Sequence, residues 1–157
     1  MVYEFGSATY QHIYNDLSHK DLQRYTKNGI LWMLQRDMKV KQLPERFHHE
    51  MNQKFDLIIS YELRVYDSVY SELCNRHDNN IYNNYSSNTT NTTIKYCYLI
   101  NIETIDNHSE ALNSSHLTLQ LIQLVYQAND WHNNITSIID TFQQQNNKQV
   151  MYTIVPY

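Results

Sequence analysis

The residues best spaced for chemistry are two carboxylates, Glu103 and Asp106, in the stretch Ile100-Asn101-Ile102-Glu103-Thr104-Ile105-Asp106-Asn107-His108-Ser109-Glu110-Ala111. An apolar run, Ile94 to Ile102, leads into this acidic segment, and a long helical pattern starts near Ser109. In open α/β sheets the ligand site lies off the carboxyl ends of the strands, so Asp106 stands where a catalytic acid would stand. The plain alternative for Asp106 is a turn or helix-cap aspartate. Glu103 reads as a solvated loop charge. The nucleophile such an acid would serve is not found: no cysteine in the chain is followed six residues later by an arginine. Cys74 has Asn80 at that spacing and is placed at a helix end. Cys97 lies mid-strand and has Glu103, a carboxylate that would raise a thiol pKa rather than lower it. Both read as unreactive thiols, since a reactive thiolate needs an electropositive, accessible setting.

The eight histidines do not assemble into a metal site in sequence. His49-Glu50 is followed by Gln53 where the helical zinc motif requires a second histidine. Cys74 and His77 are spaced like a ligand pair, but no second pair follows at zinc-site spacing. No metal is expected, and the histidines read as surface residues.

At 157 residues the chain has the length of one domain. A net charge of −4 supplies no basic field for nucleic acid, so any link to RNA or DNA is expected to run through a protein partner. No run of 18 apolar residues and no charged-then-apolar opening occurs, so neither a membrane span nor a secretory signal is expected. Two cysteines are too few for a disulfide framework, which suits a reducing compartment. Two glycines, Gly6 and Gly29, are few for an α/β enzyme, whose phosphate loops need close backbone approach.

The elements that must carry Asp106 follow from periodicity. Residues 8–38 read as helices, with Tyr10, Ile13, Tyr14 and Leu17 on one stripe. Ser18 with Asp21 resembles a capping pair that restarts a helix through Leu22 and Tyr25. Asn28-Gly29 breaks it, and Ile30, Leu31, Met33 and Leu34 face another helix. Residues 55–60 read as a buried parallel strand, followed by a helix on Val65, Val69 and Leu73. Residues 75–93 read as an Asn/Ser/Thr-rich mobile surface insert. Residues 94–102 form a second strand, 109–129 and 131–145 amphipathic helices, and 150–155 a terminal edge strand. Trp32 and Trp131 read as packing residues, and Arg36, Lys39 and Lys41 as a solvated face. Helices alternating with strands give the α/β class, with fewer strands than so many helices would cover. Strand 55–60 is expected to have an unpaired apolar edge.

Seven segments in register resemble a known family, the SSU-type phosphatases of the RNA polymerase II C-terminal domain, distant relatives of the low-molecular-weight tyrosine phosphatases. They are Val2-Tyr3-Glu4-Phe5, Ile13 to Leu17, Tyr25 to Leu34, Pro44-Glu45-Arg46-Phe47, Phe55-Asp56-Leu57-Ile58, Glu62 to Asp67, and Ile105-Asp106-Asn107-His108. The resemblance reaches nearly end to end, apart from the Asn-rich stretch.

It implies a three-layer, mainly parallel sheet of the low-molecular-weight phosphatase type. In this family a first strand, a Cys-x5-Arg-Ser loop, a first helix and a second strand precede the part that matches here, so the chain is expected to be N-terminally truncated. The implied activity is hydrolysis of phosphoserine in the polymerase heptad repeat, linked to transcription and mRNA 3′-end processing in the nucleus. A cysteine thiolate attacks phosphorus, loop N–H groups and an arginine hold the phosphoryl oxygens, and an aspartic acid protonates the leaving serine. Asp106 matches that acid, and Tyr25 and Met33 match a pocket for the cis proline after the phosphoserine. Both also read as helix core residues. No cofactor is implied. The implied partners are the phosphorylated polymerase repeat and a helical-repeat scaffold of the cleavage and polyadenylation machinery. Two alternatives stay open: a pseudophosphatase that only binds, and a low-molecular-weight tyrosine phosphatase-like enzyme, against which the proline pocket argues.

Overall fold

The computed structural model describes residues 2–51, 53–87 and 95–156. Along the chain run α1 (Tyr10–Lys27), α2 (Ile30–Asp37), a 3-10 turn (Phe47–His49), β1 (Leu57–Ser60), α3 (Leu63–Ser87), β2 (Tyr96–Asn101), α4 (His108–Gln127), α5 (Trp131–Asn146) and β3 (Met151–Pro156). The contacts gather into two compact units, Met1–Gln53 and Lys54–Tyr157, each with its own apolar cluster.

In the first unit Thr9 caps α1, its side chain accepting from the His12 N–H at 3.1 Å. The helix breaks at Asp21 (φ −163°, ψ 83°), and Asp21 Oδ1 accepts from the Arg24 N–H at 2.9 Å. The restart expected from the Ser18–Asp21 pair therefore occurs three residues later. A carboxylate at the break is itself the cap, while the Ser18 hydroxyl is buried without a hydrogen-bond partner among the described residues. Gly29, at φ 80°, takes the left-handed turn into α2, where a side chain would be strained. Ala8, Ile13 and Leu17 then pack with Leu31 and Leu34. Trp32 is not a packing residue: it is 74% exposed, because Leu31 and Leu34 define the buried stripe of α2.

The second unit is built on a sheet of order β1-β2-β3. β1 runs parallel to β2, Leu57 facing Tyr98 and Ser60 facing Asn101. β2 runs antiparallel to β3, Tyr96 facing Pro156 and Asn101 facing Met151. The described sheet is thus mixed rather than mainly parallel. One helix, α3, separates β1 from β2 and returns the chain to a parallel strand, whereas the α4–α5 pair reverses it once more.

Central β2 is buried from Cys97 to Asn101, as a strand with neighbours on both sides should be. Tyr98, Ile100 and Ile102 pack against Leu121 and Val125 of α4 and Ile135, Ile138, Ile139 and Phe142 of α5. Cys97 and Leu99, which alternate to the opposite side, are also buried, and α3 lies against all three strands. Of the apolar residues of α4, Leu112, Leu119 and Ile122 are exposed. The buried stripe is set by Leu121 and Val125, and 112, 119 and 122 fall off it.

The loop expected at 75–93 is helix as far as Ser87, and residues 88–93 lie outside the described residues. Tyr66, Val69 and Leu73 bury the front of α3. Arg76, itself buried, pairs with Glu72 one turn back at 2.9 Å. Once a helix is nucleated by packing, each further asparagine costs only about 0.7 kcal/mol relative to alanine. Cys74 is therefore mid-helix, not at a helix end.

Within this unit the outer edge of β1 has no partner strand among the described residues. The Asp56 and Ser60 carbonyls accept from the Tyr98 and Ile102 N–H groups, each at 2.9 Å. Strand alternation turns the N–H and C=O of Leu57 and Ile59 the other way. The Ile58 amide should exchange slowly and those of Leu57 and Ile59 fast, and the chain should self-associate through this apolar edge. Equal protection at all three positions in a monodisperse monomer would show the edge to be covered.

Candidate functional site

The parallel pairing ends β1 and β2 side by side on two polar residues, Ser60 and Asn101, both buried in an otherwise apolar sheet. Ser60 Oγ donates to Asn101 Oδ1 at 2.9 Å, and Asn101 Nδ2 donates to Glu103 Oε2 at 2.7 Å. Both ends of the buried amide are thereby satisfied, as burial requires. Glu103 is not merely a solvated charge. Its carboxylate holds the amide of Asn101, and its carbonyl accepts from Lys148 Nζ at 2.9 Å.

The loop continues under equally close restraint. The Thr104 N–H donates to the Tyr61 carbonyl at 2.9 Å, just past the end of β1. The Thr104 hydroxyl donates to the Ile102 carbonyl at 2.7 Å and lies 2.6 Å from the buried Ser114 hydroxyl of α4. Asn107 closes the loop as the cap of α4, its Oδ1 accepting from the Glu110 N–H at 2.9 Å. The Asn107 N–H also reaches back to the Ile105 carbonyl at 2.7 Å, which makes Asp106 the middle residue of a three-residue turn.

Asp106 is exposed, and no described residue hydrogen-bonds or pairs with its carboxylate. The helix-cap alternative fails because Asn107 does that work. A turn aspartate with both neighbours anchored and its own side chain unengaged remains. Such a group is available to a ligand off the strand ends.

Tyr25 and Met33 belong to the first unit. Tyr25, near the end of α1, is half-buried against the Ala8–Leu34 cluster, with the Arg24 guanidinium 5.8 Å from its ring centre. Met33 is 45% exposed and is not part of that cluster. The core alternative thus fits Tyr25 in part and Met33 not at all.

The family model described as Ssu72-like protein matches residues 1–157. The chain belongs to the Ssu72-like family. The RNA polymerase II C-terminal domain phosphatase SSU72 of Bos taurus is 35% identical over 156 residues, 99% of this chain and 73% of the relative. Its namesake in Dictyostelium discoideum is 28% identical, over 99% of this chain and 67% of the relative. A crystal structure of the Drosophila melanogaster serine phosphatase of the RNA polymerase II CTD covers 100% of this chain and 75% of its own, with TM-score 0.83 and 29% identity. The Drosophila Ssu72 with Symplekin, bound to a cis peptidomimetic of the serine-phosphorylated CTD peptide, matches with the same TM-score and identity.

In this Ssu72-like chain neither cysteine is built as a nucleophile. Cys97 is fully buried in β2, and its thiol is pushed up to about 12, by burial first and by nearby Asp56 second. The rise agrees with the sequence expectation, but its source is not Glu103. Cys74 is hydrogen-bonded with the Tyr70 hydroxyl on α3. A thiol alkylating reagent at neutral pH should leave Cys97 unlabelled until the protein unfolds. The folded state keeps the Cys97 proton where the unfolded chain, at about 8.5, gives it up. This contribution to stability is complete below about pH 8.5 and is lost as pH rises toward 12. Wild type should therefore lose more stability than Cys97→Ala between neutral and alkaline pH in denaturant titrations. Equal losses would show the thiol to be unperturbed.

Sequence reasoning misses Ser60 and Asn101 as site residues, although each is a polar residue at the end of a largely apolar strand. Two strands closing on polar residues at one edge is the signal that marks them.

Proposed function

We propose that this chain supplies the acid and substrate-binding part of a phosphatase acting on phosphoserine in the RNA polymerase II C-terminal repeat. The observation that carries this is Asp106. It is exposed on a loop anchored at the carboxyl ends of two parallel strands, with no other task, in a chain of the Ssu72-like family.

In this mechanism a cysteine thiolate attacks phosphorus, an S–P bond forms, and the P–O bond to serine breaks. The carboxylic acid of Asp106 gives its proton to the departing serine oxygen and, as carboxylate, takes one from the water that hydrolyses the phosphocysteine. Tyr25 and Met33 offer an aromatic face and a thioether to the proline that follows the phosphoserine, contacts that suit a small apolar ring. Residues 1–157 hold no Cys-x5-Arg, so they do not themselves supply the thiolate and its phosphate cradle.

The same proposal makes the described strands part of a wider three-layer sheet of the low-molecular-weight phosphatase type. A further strand would lie along the open edge of β1, whose apolar character supports this. The work belongs in the nucleus, beside a helical-repeat scaffold protein. The exposed Leu112, Leu119 and Ile122 of α4 offer such a partner an apolar face.

Sequencing the transcript upstream of the Met1 codon tests the catalytic form of the proposal. An in-frame Cys-x5-Arg-Ser is expected. A stop codon directly before Met1 would overturn it and leave the alternative, a pseudophosphatase that binds partners without turnover.

A further inference from the structure

The chain Ser60–Asn101–Glu103 is a set of hydrogen bonds that the proposed chemistry does not use directly. We infer that Asn101 and Glu103 are positioning residues, which fix the 102–107 loop so that Asp106 is presented at one place and one height off the strand ends. This rests on Asp106 being the acid.

Three anchors from separate elements, and one bond within the segment itself, hold the loop. Ser60 Oγ at the end of β1 donates to Asn101 Oδ1, and Asn101 Nδ2 donates to Glu103 Oε2. Lys148, between α5 and β3, holds the Glu103 carbonyl, and Ser114 of α4 meets Thr104. Asn101 is 3% exposed, so its amide has no water to turn to, and its two bonds set the direction in which the chain leaves β2. Only Ile105 and Asp106 stand between the Thr104 and Asn107 anchors. A general acid must reach the leaving oxygen to within hydrogen-bond distance, and a misplacement of about 1 Å costs up to about 10²-fold in rate. Glu103 acts here as an acceptor, not as a proton donor to substrate. Glutamine can accept the same bond through Oε1, whereas alanine cannot.

The test uses the chain joined to the Cys-x5-Arg-Ser segment of a relative, with steady-state kinetics on a phosphoserine heptad peptide. Asn101→Ala and Glu103→Ala should each lower kcat by about 10-fold or more and leave KM within about twofold, and Glu103→Gln should retain most of the rate. In an Asp106→Asn background both alanine changes should lose their effect, because they act through that carboxyl. Amide exchange at Thr104 and Asn107, read on the same proteins, should quicken in both alanine variants. Unchanged exchange, or an undiminished alanine effect in the Asp106→Asn background, would overturn the inference. Glu103→Ala, at an exposed position, keeps the test valid if Asn101→Ala does not fold. Exchange that quickens while Asp106→Asn leaves kcat intact would instead sink the assignment of the acid.

Discussion

Expressed by itself, the 157-residue chain is expected to hydrolyse a phosphoserine heptad peptide no faster than background. In the serine protease subtilisin, losing the nucleophile alone lowers kcat by about 10⁶-fold, and a loss of that order is expected here. Asp106 cannot compensate, because an acid stabilises only the departing oxygen and forms no bond to phosphorus. Nor can either thiol. Cys97 is enclosed in the central strand with its pKa pushed up to about 12, so at neutral pH it holds its proton. It is also out of reach of any peptide. Cys74 sits on α3 beside Tyr70, and at the arginine spacing it has Asn80, which supplies no charge to hold a phosphoryl group. Turnover above background, abolished by Cys74→Ser or Cys97→Ser, would contradict this account. Restoring a Cys-x5-Arg-Ser segment should recover the activity.

Where sequence and structure agree, the agreement has a periodic cause. Buried strands of four to six residues and helices with apolar contacts every third or fourth residue leave marks that survive in a single sequence. So the strands at 57–60 and 96–101 and the helices before and after them were legible. The segment between β2 and α4 was legible for a different reason, since the apolar run stops at Ile102 and a helical pattern starts near Ser109. The misses were partly local and partly topological. The Asn-rich stretch after Cys74 reads as coil by composition, yet it continues a helix already fixed by Tyr66, Val69 and Leu73. Residue type marked Trp32 as core, while the phase of Leu31 and Leu34 turned it outward. The antiparallel course of β3 depends on counting two helices before it, a property of topology and not of any residue. The relay through Asn101 is a tertiary pairing, invisible until β1 and β2 are set in register.

The second large effect concerns the acid itself. In the chain restored with a Cys-x5-Arg-Ser segment, Asp106→Asn should depress kcat by about 10²–10⁴-fold and leave peptide binding nearly unchanged. Asparagine keeps the shape and polarity of the side chain but has no proton to give at the moment the serine oxygen leaves, so the loss falls on the transition state alone. Stability should be little altered, since the Asp106 side chain makes no hydrogen bond or ion pair to a described residue and the cap of α4 is Asn107. Three further substitutions separate this outcome from a general disturbance of the loop. Glu103→Gln should change kcat only mildly, because its duty is to accept from Asn101 Nδ2 and an amide oxygen can do so. Asn107→Ala should cost about 1 kcal/mol of stability through loss of the cap. Tyr25→Ala should mainly raise KM for heptad peptides, because it removes an apolar wall and not a proton. A leaving group that is already a good one, such as a nitrophenolate, needs little protonation, so the Asp106→Asn penalty should shrink with an aryl phosphate. If Asp106→Asn left kcat intact on the peptide while Glu103→Gln abolished it, the acid would be Glu103, and its bond to Asn101 would have to open before each turnover.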